Sequence, residues 1–334
     1  MKIKSNYITL ALTLIILILS YIPSKAQLVS PLQTGHYAPS VQNVRDLSNP
    51  PPGLFLIWYN LYSTSDAFMD IDGNKIKNLN QVFPKLDVGL SYDVKAFASI
   101  PMIFWASDKI PFLGNANYMG GVSLNYVSMK ASVFTERQGV IIDTTFTRSS
   151  EGSLSGLSDM FISPLGLSWG LEKFDITVFY GFAAPTGRFE IDANDNLGLG
   201  FWTHQLQGFG YYYPVADKST ALMLGMTYEM NGKIKDAEVT PGNRFTIEYG
   251  LSQYLSERFE LFAQGGHNLA VSDDRGDGVY WDASKHDRKS TAAFGANYFA
   301  WQERLAISVK YGFDYGARGR GLTNFWMFNI LFFV

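Results

Sequence analysis

The chain has 334 residues, with 27 Lys and Arg against 30 Asp and Glu, a formal net charge of −3 and no cysteine. That balance offers no basic patch for nucleic acid, and the missing thiols exclude a disulfide framework or a thiolate zinc site. The 31 Gly, 19 Tyr and 25 Phe suit turns, strands and aromatic girdles.

Lys2 and Lys4 open the chain, Ile8 to Leu19 form an apolar run too short to span a membrane comfortably, and Ser24-Lys25-Ala26 make a small-residue cleavage site. Residues 1–26 are therefore expected to be a signal peptide, with the exported chain starting near Gln27; an uncleaved anchor is the alternative. Its removal takes away Lys2, Lys4 and Lys25 and makes the remainder more acidic. After residue 27 no run of about eighteen apolar residues occurs, which excludes ordinary transmembrane helices. Residues 27–52 carry no strand pattern and end in Pro50-Pro51-Pro52, a stiff linker. Such a segment stays in the periplasm or folds back as a plug into a barrel made by residues 53–334.

From there the chain alternates apolar and polar residues in segments separated by short, then long, connections. Strands are predicted near 54–63, 84–93, 96–105, 157–169, 174–183, 201–213, 220–228, 244–254, 259–267, 289–298, 305–315 and 323–333. In Leu86 to Asp93 the even positions are apolar and the odd ones small or polar. In Arg244 to Ser252, Phe245, Ile247, Tyr249 and Leu251 share one side; in Leu305 to Tyr315 the split is cleaner still. A soluble β-sandwich alternates as well. These runs, however, are about 9 to 11 residues long, as a tilted strand crossing a bilayer requires, against about 5 or 6 in globular sheets.

Connection lengths support the same class. Tight links are read around Val94, Glu172, Asp217, Glu257 and Gln302. Long polar ones run over Ser65 to Phe83, Ala106 to Gly156, Pro185 to Gly200 and Asn268 to Arg288. Sorting by parity puts short turns on the periplasmic side and long loops outside, as in an all-β, antiparallel transmembrane barrel of about twelve strands. Tyr118 to Phe134 stays open as a surface hairpin, a helix or two further strands, which would make fourteen. The final strand presents Trp326, Phe328, Ile330, Phe332 and Val334 on one face, similar to the signal by which outer-membrane barrels engage their insertion machinery, with Val334 where that signal usually has Phe.

Asp87, Asp175, Arg244, Glu248, Glu260, Lys310 and Asp314 fall on the predicted inward face, since an Arg or Lys facing lipid costs about 2–4 kcal/mol at the midplane. Two readings stay open for them: a hydrated mixed-sign lining for permeation, or charges that fill and rigidify a narrow barrel. The first and last strands lack clean alternation. Leu54, Leu56 and Trp58 on one, with Phe325, Met327, Leu331 and Phe333 on the other, would make an inward apolar stripe or pack against a plug. A twelve-strand barrel lies between the eight strands that side chains can fill and the sixteen that leave an open channel.

Other chemical signals are thin. Asp70-x-Asp72-Gly73-Asn74 lacks the bidentate Glu of a calcium loop. Asp273, Asp274 and Asp277 are candidates for a surface cation or simply a solvated acidic loop, and no other metal or cofactor is expected. His36, His204, His267 and His286 show no metal-ligand spacing. Gly152-Ser153-Leu154-Ser155-Gly156 has Leu where a nucleophile elbow needs Ser.

Several short stretches carry a resemblance. They are Gly35-His36-Tyr37-Ala38-Pro39, Asn43-Val44-Arg45-Asp46, Pro50-Pro51-Pro52-Gly53, and Gly156-Leu157-Ser158-Asp159 with Pro164-Leu165. Further along come Pro185-Thr186-Gly187, Asn196-Leu197-Gly198 before Phe201-Trp202-Thr203, Glu229-Met230-Asn231-Gly232 and Ser272-Asp273-Asp274. Together they resemble the outer-membrane family named for the meta-pathway of phenol degradation. The resemblance implies a barrel in the outer membrane of a Gram-negative cell that passes hydrophobic or aromatic compounds, without enzymatic activity and without agreed functional residues to carry over. Expected partners are outer-membrane lipid, the insertion machinery and small hydrophobic molecules. A closed structural or surface-binding barrel is the alternative. A lipolytic enzyme with His204 as base is third.

Overall fold

The computed structural model describes residues 35–78, 88–138, 145–191, 193, 195–301 and 304–334. The expected signal peptide, Asp87 and Gln302 lie outside the described residues.

Strands with one face for lipid and one for a filled interior leave exposed edges unless the sheet closes. Here it closes. Fourteen strand segments form one antiparallel sheet: β1 (Gly53–Phe68), β2 (Gly89–Ile110), β3 (Ala116–Ser123), β4 (Tyr126–Gln138), β5 (Thr145–Leu157), β6 (Met160–Gly170), β7 (Phe174–Ala184), β8 (Thr203–Tyr212), β9 (Thr220–Asn231), β10 (Arg244–Ser256), β11 (Phe259–Ala270), β12 (Arg288–Trp301), β13 (Leu305–Arg318) and β14 (Gly321–Phe333). β1 pairs with both β14 and β2, which shuts the ring. One half of β2 pairs with β3 (Met102 opposite Ser123) and the other with β4 (Ser99 opposite Tyr126). β3 and β4 are thus one wall strand interrupted at Leu124-Asn125. β5 and β6 are another, interrupted at Ser158-Asp159. The wall therefore has twelve strands.

The predicted count agrees, but two assignments behind it do not. β2 runs unbroken where strands 84–93 and 96–105 were separated at Val94, and the unassigned Tyr118 to Phe134 supplies a wall strand. Asp93 and Lys95 mimic a turn in sequence; in the structure they are an exposed ion pair of 3.3 Å along one side of a continuous strand. The tight turn sits instead at Pro111–Leu113, closed by Gly114 and Asn115 in the left-handed region at φ 67° and 61°. The phase of this strand is also reversed from the expectation. Tyr92 and Val94 line the lumen, whereas Ser91 and Asp93 are exposed.

The outward face carries the apolar residues that lipid requires, such as Leu222, Leu224 and Met226 on β9. On the inward face, phenylalanines lie over glycines directly opposite on the next strand: Phe104 over Gly121, Phe179 over Gly166 and Phe209 over Gly225. A Cβ on any of these three glycines would sit 2.5 Å from the ring. Rings held over these glycines stay close to the wall and leave the middle of the lumen free for other chain. Gly225→Ala should therefore push Phe209 inward at a cost of about 1–3 kcal/mol. The check is a lower temperature for loss of the compact, heat-modifiable band in gel electrophoresis.

Candidate functional site

Residues 35–52 form no strand, so their backbone groups need partners from elsewhere. Inward side chains of the wall supply them. Glu229 Oε1 accepts from the backbone N–H groups of His36 and Tyr37 at 2.9 and 3.0 Å. Glu248 accepts from Ser40 N–H at 2.6 Å and from the Tyr37 hydroxyl. Lys310 Nζ donates to Val41 O and Gln42 O at 2.9 and 3.0 Å, and Gln264 Nε2 donates to Gln42 O. Lys310 is 0 % exposed, so the ammonium has exchanged water for these carbonyls and the nearby carboxylates of Asp46 and Glu248. Val44 and Leu47 join the main apolar cluster with Ile57, Phe104, Phe209 and Met327.

At the extracellular end the stretches that carry the family resemblance converge on one carboxylate. Asp159, in the interruption between β5 and β6, accepts from His36 Nε2 at 2.9 Å, Gly187 N–H at 2.9 Å and Leu199 N–H at 2.7 Å. His36 Nδ1 lies 2.8 Å from Thr203 Oγ1, which donates to Asn231 Oδ1. Gly187 and Gly198 press so closely on Asp159 Oδ1 and on each other that neither has room for a Cβ. Burial raises the Asp159 pKa, but the His36 ring and then the two backbone N–H groups outweigh it and hold the carboxyl below its usual range. A lowered folded pKa stabilises above the unfolded value and is lost as pH falls through the folded one. Protease resistance of residues 185–202 should therefore stay level from pH 7 to about 4 and fall only below that. In Asp159→Asn it should be low across the whole range.

Toward the periplasmic end the segment is tied by Asp46, which takes the Tyr59 hydroxyl at 2.6 Å, and by Arg45, which lies 3.1 Å from Glu260 and over the Tyr254 ring at 4.5 Å. Asp175 meets Lys218 at 3.2 Å and the Tyr213 hydroxyl at 2.7 Å. Between segment and wall lies a cavity of about 250 Å³. Its apolar lining includes Leu47, Ile57, Phe104, Met119 and Leu331. A second cavity of about 230 Å³ lies at the other end of the lumen, beside Tyr92, Lys289, Arg320 and Thr323. There Arg244 is bound to Asp287 and Asn268, Arg320 lies 3.5 Å from Asp287, and Lys289 pairs with Asp314 at 2.7 Å.

Of the residues singled out in the sequence, Asp175, Arg244, Glu248, Glu260, Lys310, Asp314, Phe325 and Met327 are buried on the inner face. Asp175 and Glu260 lie toward one end, Arg244 and Asp314 toward the other, and Glu248 and Lys310 hold the segment between them, so the charges do not form one continuous lining. Trp58 is a correction: it is 42 % exposed on the outer face with Leu54 and Leu56, and the inward stripe is Phe55, Ile57 and Tyr59. Both phases of β1 are apolar, so alternation had no sign to read; pairing with β14 and β2 decides it. Asp273, Asp274 and Asp277 do not converge. Asp273 bonds His286 at 2.7 Å, and Asp274 takes Gly242 N–H and Trp281 Nε1. Among the described residues no group of three or more His, Asp or Glu is placed to hold a metal ion. His204 faces outward, with Nδ1 2.8 Å from the Tyr180 hydroxyl rather than from a serine. Glu229 and Asp159 stand in the stretches that carry the resemblance, but sequence reasoning did not place them inward: continued alternation along β9 would have placed Glu229, whereas Asp159 sits in a strand break and carries no periodicity.

The barrel fold has a counterpart among solved structures, at an identity that speaks to fold alone. An outer-membrane channel from Pseudomonas putida F1 superposes with a TM-score of 0.62 at 14 % identity, over 86 % of this chain and 98 % of that one. The translocator domain of the autotransporter NalP from Neisseria meningitidis gives 0.47 at 11 % identity, over 87 % and 92 %. A deletion mutant of TodX, a monoaromatic hydrocarbon channel, gives 0.47 at 9 %, over 87 % and 92 %. No curated protein matches the chain. A family model does, over residues 65–330, which includes Asp159, Glu229 and the wall strands from β2 to β13. The chain belongs to the outer-membrane barrel family described as "Putative MetA-pathway of phenol degradation".

Proposed function

We propose that the protein is a passive outer-membrane channel for small hydrophobic compounds, aromatic ones among them, and that residues 35–52 act as its internal plug. The observation that carries this reading is the partly apolar cavity between that segment and the wall, together with the way polar side chains, rather than backbone ladders, hold the segment. Side-chain ties can be exchanged one at a time without opening the wall, so the segment is the element able to move. On this reading residues 1–26 are removed on export, the barrel is inserted by the assembly machinery of the outer membrane, and transport needs no catalytic residue. The inward charges hold the plug rather than select ions. One observation favours the alternative of a closed structural barrel: the middle of the lumen is filled, with Lys310, Tyr59 and Met327 fully buried.

Uptake of a labelled aromatic hydrocarbon by cells with and without the protein, with a sugar of similar size as control, separates the two. Faster entry of the hydrocarbon alone is the expected result. Equal acceleration of both points to a general water-filled pore, and no change in either to the closed barrel.

A further inference from the structure

The cavity of about 250 Å³ is not uniformly apolar. At its inner end, Asn43, Asn297, Ser308 and Asn329 meet, and their amides are oriented by a chain of bonds. Glu260 Oε2 accepts from Asn297 Nδ2 at 2.6 Å, which turns Asn297 Oδ1 toward Asn43. Asn43 Nδ2 then donates to Asn297 Oδ1 at 3.5 Å and to Ser308 Oγ at 3.1 Å, which leaves Asn43 Oδ1 to accept from Asn329 Nδ2 at 3.4 Å. The chain ends there: Asn329 Oδ1 is buried and accepts from no protein group. A carboxylate can only accept, so reversing any amide in the series would set two acceptors against each other. The free carbonyl is therefore a consequence of Glu260, not an accident of one side chain. Asn49 Oδ1, on the same cavity lining, is buried without a partner as well.

A buried acceptor without a donor costs about 1–3 kcal/mol by itself, and an occupant that supplies a donor recovers that cost. The volume sets the size of such a ligand, because an apolar cavity of about 150 Å³ is enough for benzene.

We infer that this cavity is a binding site for one small ring bearing a single hydrogen-bond donor, a ring alcohol or ring amine, with Asn329 Oδ1 as the acceptor that selects it over the plain hydrocarbon. The inference rests on the channel reading and narrows it. Apolar side chains hold the ring, Asn329 reads the substituent, and Glu260, Asn297 and Asn43 are positioning residues.

The test is calorimetric binding of 4-methylphenol and of p-xylene, which have the same shape, to the purified folded barrel. The intact protein should prefer 4-methylphenol by about tenfold, and Asn329→Leu should reduce the preference to about twofold or less. Leu331→Trp, which fills the cavity from the next inward position on β14, should abolish binding of both. The comparison within the unaltered protein stands even if a variant fails to fold. Equal affinity for the two rings overturns the inference, as does binding that neither variant changes. Cells that take up p-xylene in a protein-dependent way while the purified barrel shows no preference would keep the channel and remove the selective site. Preference without any protein-dependent uptake would keep the site and remove the channel.

Discussion

Deleting residues 35–48 should turn a closed barrel into a conducting one. The wall does not depend on this stretch for closure, because β1 pairs with β14 and with β2 along nearly its full length. What the segment supplies is interior volume, with Val44 and Leu47 in the apolar cluster and the backbone of residues 36–42 bonded to Glu229, Glu248 and Lys310. Without it those charges face water that enters from both ends, which hydrates them instead of stranding them. Phenylalanines held over glycines of the neighbouring strand do not reach across the gap. Twelve strands enclose more than side chains alone fill and less than a porin. In planar bilayers the deletion variant should therefore show discrete steps at least about tenfold larger than any seen with the full chain. A deletion variant that folds yet conducts no better than the parent would mean that the outer loops, not the segment, close the lumen.

How far the chain announces this arrangement depends on the kind of contact. Strands β10 and β13 show both faces in sequence, because lipid on one side and a polar interior on the other impose alternation residue by residue. The inward positions of Arg244, Glu248, Lys310 and Asp314 follow directly. β1 could not be phased in this way, since Ile57 and Tyr59 pack on the segment while Leu56 and Trp58 meet lipid, and both environments select apolar residues. β2 misled for the opposite reason. Its exposed Asp93–Lys95 pair is polar within a strand, and charge density resembles a turn when only the local sequence is in view. The site itself is non-local: His36 and Asp159 are 123 positions apart, and Lys310 and Val41 are 269. No periodicity links such pairs. The short stretches resembling the family did mark the participants, because Gly35-His36, Ser158-Asp159, Gly187, Thr203 and Glu229 all end at one junction. Their clustering is visible only after the wall has brought β6, β8 and β9 together.

Lys310→Met should release the segment while leaving the wall intact. The ammonium is fully buried and donates to Val41 O and Gln42 O, with the carboxylates of Asp46 and Glu248 as its charged surroundings. Methionine matches the stem in length but offers no donor. The substitution strands two carboxylates in the interior and takes the lysine's donor from both carbonyls, although Gln264 still reaches Gln42 O at 2.8 Å. Removing one partner of a buried charge set costs about 3–5 kcal/mol, because the remaining charges stay desolvated. The barrel can avoid that cost by a route closed to most cores: the segment moves out and water solvates Asp46 and Glu248. The cost thus falls on the segment rather than on the strand ladders, which keep their backbone bonds. Hydrogen exchange should accelerate by more than about a hundredfold at residues 36–46, with the amides of β10 and β13 unchanged. Adding Glu248→Gln should recover part of the protection, since it removes one stranded charge. If exchange accelerated equally everywhere, or stayed at the parent's rate in the segment, Lys310 would be a strand residue that happens to touch Val41, and the hold on the segment would lie with Glu229 and Asp159.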